Sequence, residues 1–395
     1  MGAGPVKTSI KWKILSGIVV IEILLTVIFA GIVINTFQRN LRLNSIRTVE
    51  NIQGMYDSIM RNDTKMLSAA LEVFLQDDSF KEVYIKKNRD ELQNAVEELY
   101  SHNRDRYGMT HFYYINNDGE CFLRAHKPEL FGDTVNRLTL LEAKRTKRIS
   151  SGIELGQTAF ALRVVSPCIY RGEQIGFVEF GEEIDHFDKI VKEETGSDVF
   201  VVVRKNLLRE KNYRNARKNT GRRDDWDDLE NYALVSETFG NNKFFTEKIF
   251  NENDVRLVRT PVFLGTISQG SQVLAKGAFP LHDASNKQVG IIMTLTDVTE
   301  MMENENMALT YLIVAAIALF LVSYGFTFIY LKKVIIAPLV RLSNMADEIS
   351  MGKLDVKLET KRTDEIGMLI SSFDRMRISV KKFLEMLAKR EDKHQ

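Results

Sequence analysis

ALRVVSPCIYRGEQIGFVEFGEEID (residues 161–185) and VLAKGAFPLHDASNKQVGIIMTLTD (residues 273–297) are two copies of one pattern. Each has a β-rich run, a proline (Pro167, Pro280), a polar turn, an apolar–Gly–apolar run (Gly176, Gly290) and a closing acid (Asp185, Asp297). Branched and aromatic runs separated by polar turns read as antiparallel strand pairs. The second copy has one extra turn residue. Self-similarity at this distance predicts two related modules in tandem.

Upstream of the first copy, HFYYINNDGECFLRAH (111–126) supplies another strand pair. Its turn, Asn117-Asp118-Gly119, carries the Asp-Gly hairpin signal. Farther back the period changes. Ile46, Val49, Ile52, Tyr56 and Ile59 recur at steps of three and four, with no proline from about Leu41 to Phe74. This predicts a long stalk helix. A second helix is expected over about residues 90–102. Helices followed by antiparallel strands indicate an α+β class, with a distal module over about 90–190 and a proximal module over about 198–298. The charged stretch between the copies, RKNLLREKNYRNARKNTGRRDDWDD (204–228), reads as a solvated surface loop, with its arginines equally open to plain surface or ligand contact.

Two segments flank this region. Ile14–Gln38 carries a single charge, Glu22, and Met307–Leu331 carries none. About 20 apolar residues span a bilayer, so both read as transmembrane helices. A cleaved signal peptide is the rival for the first, but the apolar stretch is too long and no A-x-A-like site follows. Lys7, Lys11 and Lys13 precede the first span, and Lys332, Lys333 and Arg341 follow the second. By the positive-inside rule residues 1–13 and 332–395 are cytoplasmic and 39–306 lie outside. Arg39, Arg42 and Arg47 weaken the asymmetry. Glu22 lies about 13 Å into the first span. It is expected to be protonated or to face a partner helix, since a mid-span charge costs about 2.5–3.5 kcal/mol.

The chain has 395 residues and a net charge of +1, which gives no push toward nucleic acid. Cys121 and Cys168 both fall in the outer, disulfide-permissive segment. A bridge is left open, because spacing does not establish contact. No spacing fits a metal site and nothing calls for a cofactor.

The run from His111 to Gly181 resembles the distal half of a double Cache sensor. The matching stretches are FLRAHKPELFGD, SGIELGQTAFALRVVSP and GEQIGFVEFG. The similarity is weaker from Val199 to Val298. The resemblance implies PAS-like sheets that bind a small molecule, usually in the distal module, as on bacterial chemoreceptors, sensor kinases and cyclases.

Strand alternation then selects side chains. Phe122, Arg124 and His126 share one face of CFLRAH, and Arg163 and Val165 one face of ALRVVSPC. Arg124 and Arg163 are thus expected on one side of a sheet and both cysteines on the other, unless a bulge intervenes. A strand arginine suits a carboxylate or phosphate, so the expected ligand is a small organic anion. The other reading is a salt bridge within the fold, to Glu154 or Glu179. Tyr114 is a further ligand candidate, and His126 is one unless it caps a turn. The ligand-site set is therefore Tyr114, Arg124, His126, Arg163 and Glu179.

After the second span, Ile335, Leu339, Leu342, Ala346 and Ile349 alternate four and three apart. So do Ile366, Leu369, Phe373, Met376, Val380, Phe383 and Leu387. Both are heptad seams. Gly352 allows a sharp exit from the first helix, and Leu354, Val356 and Leu358 alternate along a connector. Pro338, Gly352-x-Leu354 and Asp364-Glu365-Ile366-Gly367 resemble a HAMP domain, expected over 332–390 with its coiled-coil extension and a tail at 391–395. The resemblance implies a homodimeric four-helix bundle, with Glu365 at a helix N-terminus stabilising one of its states. No kinase, cyclase or chemoreceptor tip follows, and His394 is a tail residue.

These readings give a non-enzymatic receptor of a bacterial inner membrane that relays a ligand signal to a separate cytoplasmic partner or a longer receptor. A remnant of a sensor kinase or chemoreceptor, and a non-sensing membrane scaffold, are the alternatives.

Overall fold

The computed structural model describes residues 10–155, 160–219, 221–240, 245–355 and 360–391. Lys7, residues 156–159 of the Cache-like stretch, Val356, Leu358 and His394 lie outside the described residues. The chain forms two units, Gln38–Asn304 and Met1–Phe37 with Glu305–Gln395.

In the first unit, β1 (His111–Ile115), β2 (Cys121–Arg124), β3 (Ser150–Leu155), β4 (Phe160–Tyr170) and β5 (Glu173–Glu183) form a sheet of order β2-β1-β5-β4-β3. A second sheet contains β6 (Asp198–Arg204), β7 (Tyr232–Glu237), β8 (Val262–Gln269), β9 (Gln272–His282) and β10 (Gln288–Asp297), in the order β7-β6-β10-β9-β8. Counted from its own first strand, each sheet has the same order, and all pairs are antiparallel.

The repeat extends to register. Pro167 pairs with Phe177 and Cys168 with Gly176, as Pro280 pairs with Ile291 and Leu281 with Gly290. Each proline lies beyond the last residue paired with the outer strand, Val165 against β3 and Ala278 against β8. A missing N–H costs least there. The glycines are demanded by close approach. A Cβ on Gly176 would sit 2.6 Å from the Ile115 carbonyl oxygen, and one on Gly290 would overlap the Val202 carbonyl.

Helices cover both faces of the distal sheet. The outer part of α1 (Ile10–Phe74) packs with α2 (Asp78–Ile85) and α3 (Arg89–Tyr107). Leu71, Phe74, Tyr84, Leu92 and Val96 meet Phe112, Tyr114, Leu162, Val164, Val178 and Phe180. On the other face, Leu140 and Ala143 of α4 (Leu138–Thr146) meet Tyr113, Ile115, Val165 and Phe177. The expected stalk is thus no bare stalk. Tyr56 is buried edge-on to Phe187 and Phe279, with ring centres 5.4 and 6.0 Å away. One helix face therefore serves both sheets.

The stretch 204–228 departs from the expected loop. It contains α6 (Glu210–Asn219), and Tyr213, Arg217 and Asp225 are buried. Arg217 donates to Glu237 at 3.0 Å and to Asp225 at 3.3 Å, and the Tyr213 hydroxyl donates to Asp225 at 2.6 Å. A highly charged segment is buried because its charges are paired.

Two helices are long and apolar enough to cross a membrane, and none of the residues in their apolar windows is buried. Glu22 faces the second helix and accepts a 2.5 Å hydrogen bond from the Ser323 hydroxyl. Beyond Tyr330 a π-helical turn, Leu331–Ile336, leads into helix Ala337–Ser350, with Pro338 in its first turn. Gly352 takes a φ of +88°, which favours glycine. Leu354 is buried, and its carbonyl accepts from Arg377 at 2.7 Å. In the last helix, Glu365–Glu391, the N-terminal cap is Asp364, which accepts the Gly367 N–H at 3.0 Å.

Candidate functional site

Antiparallel pairing builds a charged cluster on the α4 face of the distal sheet. Tyr113 on β1 lies opposite Arg124 on β2 and Glu179 on β5. Glu179 in turn lies opposite Val165, which shares a face with Arg163 on β4. Arg137 arrives from the residue before α4. The guanidinium carbons of Arg137, Arg124 and Arg163 stand 4.6, 5.2 and 5.9 Å from the Tyr113 ring centre. Cations at this range are attracted to the ring face.

The arginines have different partners. Arg163 is fully buried and donates to Glu179 Oε1 at 2.5 Å. Arg137 donates to the same oxygen. Burial would raise the Glu179 carboxyl, but Arg137 and Arg163 outweigh it and hold it below the usual range. The Nε and Nη2 atoms of Arg163 and Oε2 of Glu179 are buried without hydrogen-bond partners. Arg124 makes a two-pronged pair with Asp133, 2.7 Å on each arm, and donates to the Leu130 carbonyl at 2.6 Å. The hydrogen bonds from Arg124 hold Asp133 below its ordinary value.

Two histidines border the cluster. His126 Nδ1 accepts the Phe112 N–H at 3.3 Å, and its ring lies 4.8 Å from His111 and 4.9 Å from Tyr113. Burial lowers His126 to about 4. Burial and then Arg163 push His111 well below its usual value. Both imidazoles are neutral at pH 7.

Beside the cluster opens a cleft of about 240 Å³. Arg124, Asp133 and Arg137 line one side, and Leu208, Arg209 and Asn212, from the segment after β6, line the other. The lining brings together three guanidinium groups and an amide, with Arg124 already held by Asp133.

The structure brings Arg124, His126, Arg163 and Glu179 together, as the alternation anticipated for the arginines. It does not bring Tyr114, which points to the opposite face and packs among Phe74, Tyr84 and Phe112. Of the two salt-bridge candidates, Glu179 takes Arg163, while Arg124 pairs with Asp133, which was not among them. Glu154 instead accepts the Leu138 and Thr139 N–H groups at the start of α4.

Cys121 and Phe122 depart from strict alternation, because a register shift lets Ile115 pair with Cys121 and Tyr114 with Leu123. Cys121 turns to the arginine face and Phe122 to the other. The cysteines therefore lie on opposite faces and are free. Burial pushes their thiols up to about 12 for Cys121 and about 11 for Cys168. The sequence reading missed Tyr113, Asp133, Arg137 and Asn212, and did not single out Arg209 from the other arginines of its stretch. Tyr113 was within reach, since pairing across the Asp-Gly turn puts it opposite Arg124.

Residues 47–302 match the double sensory domain of two-component sensor kinases, and residues 330–382 match the HAMP domain. Transducer protein Htr6 of Halobacterium salinarum is 35% identical over 118 residues, which is 29% of this chain. The chain spans only 14% of that relative's length. Among solved structures, the periplasmic domain of Vibrio cholerae LuxQ aligns at 12% identity with a TM-score of 0.37, covering 64% of this chain and 99% of that one. The E. coli DcuS sensor domain aligns at 18% identity and a TM-score of 0.30, over 34% of this chain and 97% of that domain.

Proposed function

We propose that this chain, which belongs to the double sensory-domain (double Cache) family and carries a HAMP domain, is an inner-membrane receptor for a small organic anion. The observation that carries the reading is the cleft where Arg124 and Arg137 of the distal module face Arg209 and Asn212 of the segment after β6. A carboxylate or phosphate there would meet the guanidinium of Arg209 on one side and the remaining donors of Arg137 on the other. Arg163, Glu179 and His126 act behind the cleft as supports that fix Arg137 and Tyr113.

A ligand bridging the cleft favours one arrangement of the two modules over another, which is all that a signal requires. The second spanning helix leads from β10 toward the HAMP helices. Both termini are read as cytoplasmic from the lysines and arginines around the spans. Met376, Phe383 and Leu387 lie exposed along one seam of the last helix, which supports pairing with a second copy. Output then passes to a cytoplasmic signalling partner, and the chain itself is assigned no catalysis.

The test is native mass spectrometry of the full chain released from detergent micelles. A co-purifying small acid on wild type, lost on Arg137→Ala, is expected. A co-purifying amine or neutral lipid indifferent to Arg137 would reject the anion reading.

A further inference from the structure

Asp63 on α1, Glu182 at the end of β5 and His186 in the first turn of α5 (Asp185–Thr195) each bring one donor atom to within 4.8 Å of the other two. None belongs to the arginine cluster. Glu182 is 1% exposed, and neither of its carboxylate oxygens has a hydrogen-bond partner. Oδ2 of Asp63 is buried without a partner as well. His186 Nε2 stands 3.5 Å from Glu182 Oε1 while half of its side chain faces solvent. Among the described residues no arginine or lysine stands against this pair of acids. Unpaired buried carboxylates are costly unless something cationic completes them.

We propose that Asp63, Glu182 and His186 form a binding site for one divalent transition-metal ion, with Zn²⁺ the best match. The donor set decides the class. An imidazole disfavours Mg²⁺ and Ca²⁺, which take all-oxygen shells, whereas one nitrogen and two carboxylate oxygens suit zinc and its neighbours. Zinc bonds of about 2.0–2.1 Å in a tetrahedron place donors about 3.4 Å apart. The exposed His186 ring and the Asp63 and Glu182 carboxylates close the observed spacing by side-chain rotation. Three protein ligands leave the fourth position for water or a ligand group. An ion here ties α1 to the join between the two sheets. The site is invisible in the sequence, because Asp63 lies far from the Glu182–His186 pair and no spacing rule connects them.

The full chain, without a histidine tag, is stripped by chelator in detergent and dialysed against Zn²⁺ or Co²⁺. The expected result is one equivalent of metal per chain, with a visible Co²⁺ absorption band of a low-coordinate nitrogen–oxygen site. Glu182→Gln, which keeps the volume, and His186→Ala, at a half-exposed position, each weaken binding by about 100-fold or more. Glu183→Gln leaves binding unchanged. Should Glu182→Gln fail to fold, His186→Ala decides alone. A wild-type chain that takes up no metal, or a His186→Ala chain that binds as tightly as wild type, overturns the proposal.

Discussion

Arg362 donates from Nη1 to the carbonyl oxygen of Val334 at 3.0 Å. Pro338, four residues on, has no N–H to offer that oxygen. A side chain from the connector thus substitutes for the helix bond that the proline removes, at the point where the spanning helix becomes the first HAMP helix. Arg362 is itself held by Asp364, which caps the second HAMP helix. Arg362→Ala is expected to speed amide exchange around Ile335–Leu339 on the order of five-fold. In a Pro338→Ala background the same change should have little effect, since the N–H is restored. Equal effects in both backgrounds would show that the contact is incidental.

The buried pair predicts a stability loss. Glu179→Gln leaves Arg163 and Arg137 without their shared counter-charge, and breaking a buried pair costs about 3–5 kcal/mol. Arg163→Met combined with Glu179→Gln should recover part of that, because no buried cation then remains on β4. Thermal unfolding of the full chain in micelles measures both.

Acid should destabilise the sensor through its histidines. His126 is lowered to about 4 in the fold, from an unfolded value near 6.5. Its stabilising contribution is complete above about pH 6.5 and is lost as pH falls from there toward 4, because the unfolded chain binds the proton first. The loss amounts to at most about 3 kcal/mol. His111 acts in the same direction. His126→Gln should flatten the melting temperature between pH 6.5 and 4. An unchanged slope would place the acid sensitivity elsewhere.

The repeated glycines give a contrast. Gly290→Ala puts a methyl group onto the Val202 carbonyl, and overpacking of this kind costs about 1–3 kcal/mol or more. Gly54, exposed on α1, has open space around it, so Gly54→Ala should stabilise by about 0.5–1 kcal/mol. Urea unfolding of the two variants reads both signs.

The strands, the repeat and the two helices after the second span were legible in the sequence because each is a local period. Pro167 and Pro280, with Gly176 and Gly290, mark the shared register in the sequence itself. Arg124 and Arg163 were placed on one face by alternation alone. What failed was whatever depended on a bulge or on chain return. One unpaired residue at Phe122 turned Cys121 to the unexpected face. Arg137 sits outside any strand, and Arg209 comes from a stretch read as loop, so neither had a periodic signal. The burial of Arg217 was hidden because its partners, Asp225 and Glu237, compensate its charge.

The most direct measurement is the thermal shift of the full chain, in nanodiscs, against a panel of small carboxylates, phosphates, amines and neutral molecules. At least one small anion should raise the melting temperature with saturable dependence, and Arg137→Ala and Arg209→Ala should each weaken the shift about ten-fold or more in concentration. A panel in which no anion shifts the protein, or in which the shift is indifferent to both arginines, would contradict the account.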